Sequence, residues 1–554
     1  MADAGRVRRP LTRRERHRLL CRDRSVRCLL VVAPLTSILE RFGRDLIPPI
    51  PGRFVVSPGL RAVVLAGIAS RTGRSVLAVI PGEREAEDLA EDVALFSSEI
   101  HHLPAWETLP FEHVSPSIPT MADRVVARHA LSRPETTIVV SSVRAATQRL
   151  SPTPVDPIHV VRGEETSFDD LVVGLADLGY RRTDRVEGKG EFAVRGGIVD
   201  VYPTQSPGPI RIDFWGDAIE ELRPFAISTQ RSEGSVDEID VFPAGEVLIS
   251  EEMRRRALDL MIDAPWGSST WERIAEGIRF PGMESWLPWL SSPQTILDAT
   301  DAVVVLFDPE RSRDRCGDLI SEEADLARAL SGTWGQDGPA AGSHPPLYLP
   351  LEPIGSDDVL EAPPIAASPG DEGYEMRGFG ATAGDPESVA ASINRWAGRE
   401  IDVVVAMDGS TAASRVAGLL AEAGAGLPVV DVLDTVESAV LPCGIHNGFV
   451  SPALRVAVVG EREVAGRRRS HRTFRRGRGE RRDEAYRDLN RGDYVVHHHH
   501  GVGRFEGLVH RNMAGAARDY LLVEYAAGDK LYVPTDQLAA VRRYTGGETP
   551  RLSR

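Results

Sequence analysis

The chain has 554 residues, of which 42% are hydrophobic and 26% are charged, so it is expected to fold as several globular domains. Its formal net charge of −16 argues against a protein that coats nucleic acid, because such binding needs an excess of Lys and Arg. Any contact with DNA is therefore expected to be weak or indirect.

The cysteines and the apolar runs exclude further classes. Cys21, Cys28, Cys316 and Cys443 form no C-x-x-C pair. No metal or disulfide framework is expected, and a reducing cytoplasm fits. No stretch approaches the roughly 20 apolar residues that a membrane span needs, so no membrane association is expected. Residues 1–44 are interpreted as a basic, disordered tail, since their apolar run contains Pro34 and lacks a signal-peptide cleavage pattern.

Lysine is almost missing, and this argues against nucleotide hydrolysis. The sequence contains two lysines, Lys189 and Lys530, and neither follows a Gly-rich turn as a P-loop lysine would. The segment 71–75 has no P-loop either. The chain is therefore predicted not to hydrolyse ATP through a Walker site. It is predicted not to be an enzyme and to hold no cofactor. Asp308 and Asp408 follow apolar strands, as a Walker B carboxylate does, but without a P-loop they are interpreted as strand-end turns.

Apolar patterning predicts a parallel α/β domain in two parts, 45–156 and 244–355. Residues 75–80 and 136–140 are continuous apolar runs, typical of strands buried on both faces. An amphipathic helix is expected between them, with Ala86, Leu89 and Val93 on its apolar side. A further buried strand is expected at 302–307.

Residues 157–243 contain short strand-like segments joined by glycine turns, and this pattern predicts a β-rich insert. Residues 191–195 and 198–202 flank Gly196-Gly197, a two-residue hairpin turn in which glycine accepts positive φ. Residues 210–215 alternate apolar and charged side chains, as a half-buried strand does.

The remaining chain predicts two more domains and two linkers. A Gly-, Pro- and Ser-containing linker is placed at 356–375, and a small α/β domain at 376–461 with strands at 401–407, 428–433 and 454–459. Residues 462–483 are strongly basic and are interpreted as a solvated linker, with phosphate contact as the alternative. Short strands with Gly-containing turns in 484–550 predict a small barrel. The expected fold class is multidomain α/β plus β.

The carboxyl-terminal motifs carry a family resemblance. They are Gly492-Asp493-Tyr494-Val495-Val496-His497, His500-Gly501-Val502-Gly503-Arg504-Phe505, Tyr520-Leu521 with Glu524-Tyr525, and Asp529-Lys530-Leu531-Tyr532-Val533-Pro534 with Arg543-Tyr544. Together they resemble the RNA-polymerase-interacting domain of transcription-repair coupling factors, a fold shared with CarD-type transcription regulators. The resemblance implies a CarD-like, Tudor-like β-barrel that binds the RNA polymerase β subunit, with contributions from Gly503, Arg504, Phe505 and Arg511.

A second set of motifs resembles the amino-terminal module of the same family. The set comprises Trp106-Glu107-Thr108-Leu109-Pro110-Phe111-Glu112 with Ser115-Pro116, and the segments 191–202, 211–215 and 228–232. The resemblance implies a UvrB-like α/β module whose β-rich insert binds UvrA through Arg195, Arg211 and Trp215. From the pattern alone the two arginines would be ordinary outward strand residues, and Trp215 would be partly core.

From about Val55 to its carboxyl terminus the chain is therefore identified as resembling the amino-terminal half of a transcription-repair coupling factor of actinobacterial type, ending after the CarD-like domain. Full-length members use ATP and magnesium in translocase lobes that the resemblance does not reach. The chain is expected to bind RNA polymerase and UvrA without translocating DNA. Whether it is a truncated gene product, part of a split reading frame or a fragment stays open.

Two alternatives accompany this interpretation. A CarD-type transcription regulator acting on promoter complexes would share the last domain, but such regulators are shorter and have no UvrB-like module. The tract 497–500, four consecutive histidines, suggests a metal site or a tag. It is internal, and alternation along a strand would divide its imidazoles between two faces, so no metal is predicted there.

Overall fold

The computed structural model describes residues 33–111, 114–152, 156–232, 234–330, 344–351, 358–367, 370–466, 494–497, 501–513, 516–524, 530–534 and 541–543. The chain divides into two compact units, Met1–Arg469 and Ser470–Arg554. No helix in the described ranges combines the length and apolar character that crossing a membrane requires.

Strands and helices are numbered in chain order. The strands are β1 (Gly52–Arg53), β2 (Val76–Ile80), β3 (Ile100–Leu103), β4 (Ile138–Ser142), β5 (Ile158–Val161), β6 (Arg181–Arg182), β7 (Glu191–Arg195), β8 (Ile198–Val201), β9 (Ile210–Trp215), β10 (Ala218–Pro224), β11 (Glu238–Val241), β12 (Val303–Phe307), β13 (Val359–Ala362), β14 (Asp402–Ala406), β15 (Ala439–Leu441), β16 (Phe449–Ser451), β17 (Val456–Val459), β18 (Tyr494–His497), β19 (Gly501–Met513), β20 (Ala516–Glu524), β21 (Lys530–Pro534) and β22 (Val541–Arg543). The helices are α1 (Arg61–Thr72), α2 (Glu83–Val93), α3 (Ile118–Ser132), α4 (Val143–Ala146), α5 (Phe168–Asp177), α6 (Glu251–Asp263), α7 (Ser268–Ala275), α8 (Leu287–Leu290), α9 (Pro309–Leu330), α10 (Pro386–Ala397), α11 (Ser410–Glu422) and α12 (Glu461–Ala465).

The first sheet is parallel throughout, in the order β1-β13-β12-β2-β4-β3. Every residue of β2 and β4 is buried, as the continuous apolar runs predict. Along β2, Ala78 and Ile80 face the core beneath α1 and α2, while Leu77 and Val79 face a second core rich in tryptophan. The predicted parallel α/β fold is confirmed, with strands contributed from both sides of the insert.

The predicted start of this domain at residue 45 is wrong, because Leu35, Ile38 and Phe42, which lie in the predicted disordered tail 1–44, are buried in its core. Residues 1–32 of that tail fall outside the described residues.

One predicted linker is wrong. Residues 356–375 contain β13, which pairs with β12 on one side and β1 on the other. Leu360 and Ala362 of β13 are fully buried in the first sheet. The strand is short and lies among Gly and Pro residues, and its partners are far away in sequence, so local composition points to a loop where long-range pairing builds a strand.

The insert forms its own sheet in the order β10-β9-β8-β7-β6, antiparallel except between β6 and β7. The predicted hairpin joins β7 to β8 through Gly196, whose φ is 60°. Helix α5 covers one face of this sheet with Leu171 and Leu175, and the β5–β11 ribbon lies beside it. We call the face opposite α5 the outer face.

The second small α/β domain has the strand order β15-β14-β17-β16. Val403 and Val405 of β14 face the core under α10 and α11, whereas Val404 and Ala406 join the core of the first domain. The predicted strand at 428–433 is wrong: this segment contributes one isolated bridge, Val429 to Val440, and β15 takes the place beside β14. Val429 is exposed there, so its apolar run does not mark a buried strand.

The two α/β domains approach each other at a pair of glycines. Gly59 lies in the 3-10 turn Pro58–Leu60 that leads into α1, and Gly448 precedes β16. A Cβ added to Gly59 would lie 2.3 Å from the carbonyl oxygen of Gly448. Only glycine permits this backbone contact.

The second unit is an antiparallel sheet in the order β21-β20-β19-β18-β22. A bulge interrupts the β19–β20 register between Phe505 and Gly507, which bends a long strand as small barrels require. The described pairings are those of an open sheet with β21 and β22 at its edges. Closure into a barrel stays a prediction.

We expect Gly59→Ala to lower the free energy of unfolding by about 1–3 kcal/mol, because the methyl group overpacks against backbone. Gly418→Ala is the matched control: Gly418 lies in α11 with nothing within 4 Å of its would-be Cβ, and alanine there should stabilise the helix by up to about 1 kcal/mol. Urea denaturation of both variants checks this. If Gly59→Ala and Gly418→Ala changed the free energy of unfolding equally, the Gly59–Gly448 contact would not be tight in solution.

Candidate protein-interaction site

The outer face of the insert sheet carries polar residues arranged by strand register. Alternation places Phe192, Val199 and Ile212 in the core beneath α5 and their neighbours on the outer face. Two rows of directly opposed residues cross this face: Arg195, Ile198, Asp213 and Glu221 in the first, and Ala193, Asp200, Arg211 and Arg223 in the second.

Arg211 is engaged within its own sheet. Its Nε and Nη2 donate to the two carboxylate oxygens of Asp200 at 2.7 and 2.9 Å. The side chains of Arg211 and Asp200 are only 17% and 2% exposed, and the guanidinium also lies 4.9 Å from the ring centroid of Phe225. The hydrogen bonds to Asp200 raise the pKa of Arg211 above its usual value. Whether Arg211 contacts a partner stays a prediction, and its charge is already paired.

A neighbouring ion-pair group was missed at the sequence level. Arg223 donates to one carboxylate oxygen of Asp213 from Nε and Nη2, at 3.0 and 2.6 Å, and its Nε lies 3.2 Å from Glu221. The charged alternation in 210–215 was the available signal. This alternation could not show which carboxylates pair with Arg223, because the residues that lie opposite each other depend on the strand register.

Arg195 differs from the other arginines of the outer face. It is exposed, and its Nη2 donates to the backbone carbonyl of Asp184 at 2.6 Å. Within the described part of the chain no carboxylate forms an ion pair with it. Its guanidinium therefore keeps donors for another carboxylate.

Trp215 ends β9 and is 77% exposed. It opens the tight turn to β10, in which Gly216 has φ 64°. The alternative that Trp215 is partly core is wrong, because the turn carries it beyond the edge of the packed core. An exposed indole on a rigid sheet is the usual form of an interface anchor.

The insert is tied to the α/β domain by a buried carboxylate. Glu246 accepts from Arg124 Nε at 2.6 Å and from Trp106 Nε1 at 2.8 Å, and Arg128 lies 3.5 Å away. Burial by itself raises the pKa of Glu246, but the guanidiniums of Arg124 and Arg128 outweigh it and hold the pKa below its usual value. This places Trp106, from the tryptophan-containing motif, at the root of the insert.

The segment 71–75 ends α1 and turns into β2, with Gly73 at φ 68°. The backbone that enters α1, where a phosphate-binding loop would lie, is the turn Pro58–Leu60. At this edge Arg61 donates to Asp308 at 3.0 Å, and both side chains are only 7% exposed. Asp308 is therefore more than a strand-end turn, because it forms a buried ion pair.

The predicted polymerase-binding residues all lie on β19. Arg504 is exposed and pairs with Glu524 at 2.6 Å and Glu506 at 3.0 Å. Phe505 is only 6% exposed, so its side chain packs within the sheet, and its contribution to polymerase binding stays a prediction. Gly503 lies opposite Val495, and Arg511 lies opposite Arg518; the burial of Gly503 and Arg511 falls outside what the structure describes.

The histidine tract falls mostly outside the described residues. His497 ends β18 opposite Gly501, and 498–500 are not described. In the described ranges no group of three or more His, Cys, Asp or Glu residues could hold a metal ion.

Two ranges match known domain families. Residues 158–246 match the UvrB interaction domain, and residues 489–545 match the CarD-like/TRCF RID domain. The chain is 32% identical over 566 residues to transcription-repair-coupling factors of Mycobacterium bovis and Mycobacterium tuberculosis, and 27% identical over 560 residues to that of Myxococcus xanthus. These alignments cover 90% of this chain but 45% of the mycobacterial proteins and 46% of the Myxococcus protein.

The fold and the matches define a protein that combines a UvrB interaction domain with a CarD-like domain of the polymerase-interacting type. The chain is a homologue of the transcription-repair-coupling factors. It spans about half the length of the curated relatives it matches, which agrees with the predicted correspondence to their amino-terminal half.

We expect Glu246→Gln to lower the free energy of unfolding by about 3–5 kcal/mol at neutral pH, because two buried guanidiniums lose their counter-charge. Since the folded-state pKa of Glu246 is lowered, this contribution is full above its unfolded pKa of about 4.3 and is lost as pH falls through the folded value. Urea denaturation between pH 3 and 7 should therefore show weaker acid sensitivity in the variant.

Glu135→Gln is the control for this prediction. Glu135 pairs with Arg133 on the surface at 3.1 Å, and such exposed pairs contribute at most about 1 kcal/mol. Equal losses in the two variants would contradict a special role for the buried pair.

Proposed function

We propose that this chain acts in transcription-coupled nucleotide-excision repair by binding two partners. The UvrB interaction domain binds UvrA, and the CarD-like domain binds the β subunit of RNA polymerase. The proposal rests first on the exposed Trp215 on the outer face of a rigid sheet, inside the range that matches the UvrB interaction domain.

The chemistry of the outer face supports the UvrA assignment. An exposed indole can bury a large apolar area at low cost in conformational entropy, and Arg195 offers a planar pair of donors to a carboxylate. Arg211 is proposed to belong to the same surface, with its guanidinium turned to Asp200.

The second unit supports polymerase binding through a strand edge. β18 pairs with residues 501–504 of β19, and beyond Arg504 the described pairings of β19 are with β20 alone. The opposite edge of 505–513 can therefore receive a strand from a partner, a mode in which main-chain hydrogen bonds supply the affinity. We further propose that β21 and β22 approach each other to close the Tudor-like barrel.

We propose that the chain acts as a scaffold and not as an enzyme, and that it uses no cofactor. The two lysines of the sequence lie outside any P-loop pattern, and the crevice edge before α1 holds the Arg61–Asp308 pair. The formal charge of −16 supports weak or indirect contact with DNA.

Binding to purified UvrA tests the first half of the proposal. We expect Trp215→Ala to weaken UvrA binding by about 30-fold or more in biolayer interferometry, since buried aromatic anchors contribute about 2 kcal/mol or more. Ile262→Ala is the control, because Ile262 is an equally exposed apolar residue on α6, outside the insert. Equal affinity of Trp215→Ala and Ile262→Ala would exclude the outer face as the UvrA surface.

Binding to the purified polymerase β subunit tests the second half. We expect Arg504→Ala to weaken β-subunit binding about tenfold and to leave UvrA binding unchanged, because Arg504 lies on the proposed docking strand. Arg415→Ala, an exposed arginine of α11, is the control. Promoter DNA binding without binding to either protein would instead favour the alternative, a CarD-type regulator, which the match of 489–545 keeps open.

A further inference from the structure

One histidine lies at the interface between the two α/β domains. His446 belongs to the loop 442–448 that joins β15 to β16, and its side chain is only 9% exposed. Ile445 before it and Phe449 after it are buried in the hydrophobic core that both domains share. The imidazole is therefore held in place against the first domain.

The carboxyl end of α2 surrounds this imidazole with acidic side chains. Glu91 Oε2 lies 2.8 Å from Nε2 of His446, and Asp88 Oδ1 lies 3.4 Å from Nδ1. Asp92 is only 2% exposed and accepts from the backbone N–H groups of His446 at 2.7 Å and Asn447 at 3.2 Å. The acidic side of α2 therefore faces the second α/β domain at its last turn.

A fourth carboxylate faces the same loop from α12. Glu463 accepts from the N–H of Gly460 at 3.0 Å, and a Cβ added to Gly448 would lie 3.0 Å from the Oε2 atom of Glu463. The titratable groups that α2 and α12 turn to the loop in these contacts are all carboxylates. Negative charge at the carboxyl end of a helix is also disfavoured by the helix dipole, so the position of His446 favours a cation.

The geometry selects the doubly protonated form of the ring. A neutral imidazole has one N–H and one acceptor nitrogen, so one nitrogen would turn its lone pair towards a carboxylate. The imidazolium donates from both nitrogens and carries the opposite charge. Because little water reaches the ring, the attraction is stronger than that of an exposed pair.

We propose that His446 is a pH-sensitive latch that fastens the second α/β domain to α2. While the ring is doubly protonated, it binds Asp88 and Glu91, and the loop 442–448 stays closed over Asp92. Loss of a proton turns one of these contacts repulsive, and the loop opens locally while the shared apolar core remains.

The place of the latch in the chain gives it a consequence for the whole protein. The second α/β domain lies in the chain between the insert and the second unit, which are the two proposed binding parts. Near neutral pH the latch therefore sets how firmly this intervening domain is attached to the domain that carries the insert. This effect does not depend on which partners the two parts bind.

The direction of the pH dependence follows from linkage between protonation and folding. In an unfolded chain a histidine is protonated below about pH 6.5. The latch therefore contributes fully below about pH 6.5, and its contribution is lost at higher pH as the ring in the folded protein gives up its proton. Other histidines titrate as well, so the difference between wild type and a His446 variant isolates the latch.

Hydrogen exchange of the full chain tests the latch at about pH 6 and about pH 9, after correction for intrinsic exchange rates. At the lower pH we expect His446→Gln to reduce the protection of the peptide 442–450 at least tenfold relative to wild type. At the higher pH the two proteins should agree within threefold, because the wild-type ring is then neutral. Circular dichroism verifies that the variant is folded.

His159→Gln is the matched control. His159 also lies between two carboxylates, 2.8 Å from Asp240 and 3.8 Å from Glu238, but it is 54% exposed. We expect the protection of its own ribbon, β5 with β11, to change by less than threefold at either pH, because water and salt screen exposed pairs.

A second variant separates the latch from a general loss of stability. Asp88→Asn/Glu91→Gln keeps His446 and removes the charge of its two partners. We expect the protection of 442–450 in this variant to agree within threefold between the two pH values, whereas wild type loses at least tenfold on going from the lower to the higher pH. Equal protection of wild type at both pH values would overturn the proposal. A loss of the same size at both pH values in His446→Gln would also overturn it, because His446 would then act by packing alone.

Discussion

The buried carboxylate of Glu246 is the constraint on which the arrangement of the insert depends. A domain inserted between β4 and β12 is attached by two chain crossings, and a flexible root would leave its binding face without a fixed direction. Glu246 joins Arg124 and Trp106 at that root, where water is excluded. Because each partner would be a buried unpaired group without the others, the insert and helix α3 are held as one body.

On the insert itself, pairing within the sheet decides what a partner can recognise. Arg211 forms an ion pair with Asp200, and Arg223 forms ion pairs with Asp213 and Glu221. These pairs link neighbouring strands, and the two arginines add little net charge to the surface. Arg195 and Trp215 remain available. In the proposed complex, specificity would come from a small number of groups held on a sheet, which limits the entropy lost on binding.

Local patterns predicted β2, β4 and the β7–β8 hairpin correctly, because burial on both faces and a Gly-Gly turn are properties of short segments. They failed at β13, whose place in the first sheet is decided by β1 and β12. For the same reason the sequence indicated Arg211 but not its pairing with Asp200, and it indicated β19 but not that Phe505 points inward. Both depend on register between strands, which composition does not encode.

The Arg61–Asp308 pair occupies the carboxyl edge of the first, parallel sheet. A buried aspartate after β12 needs a cation, and in nucleotide-binding α/β proteins that edge is where phosphates and metal ions bind. Here the first residue of α1 supplies the guanidinium, at 3.0 Å and almost without exposure to water. A phosphate at this position would have to displace Asp308 from Arg61, although Arg311 would still lie 3.2 Å from the carboxylate. The carboxylate at this edge thus has its cation within the chain, which agrees with the proposed scaffold role.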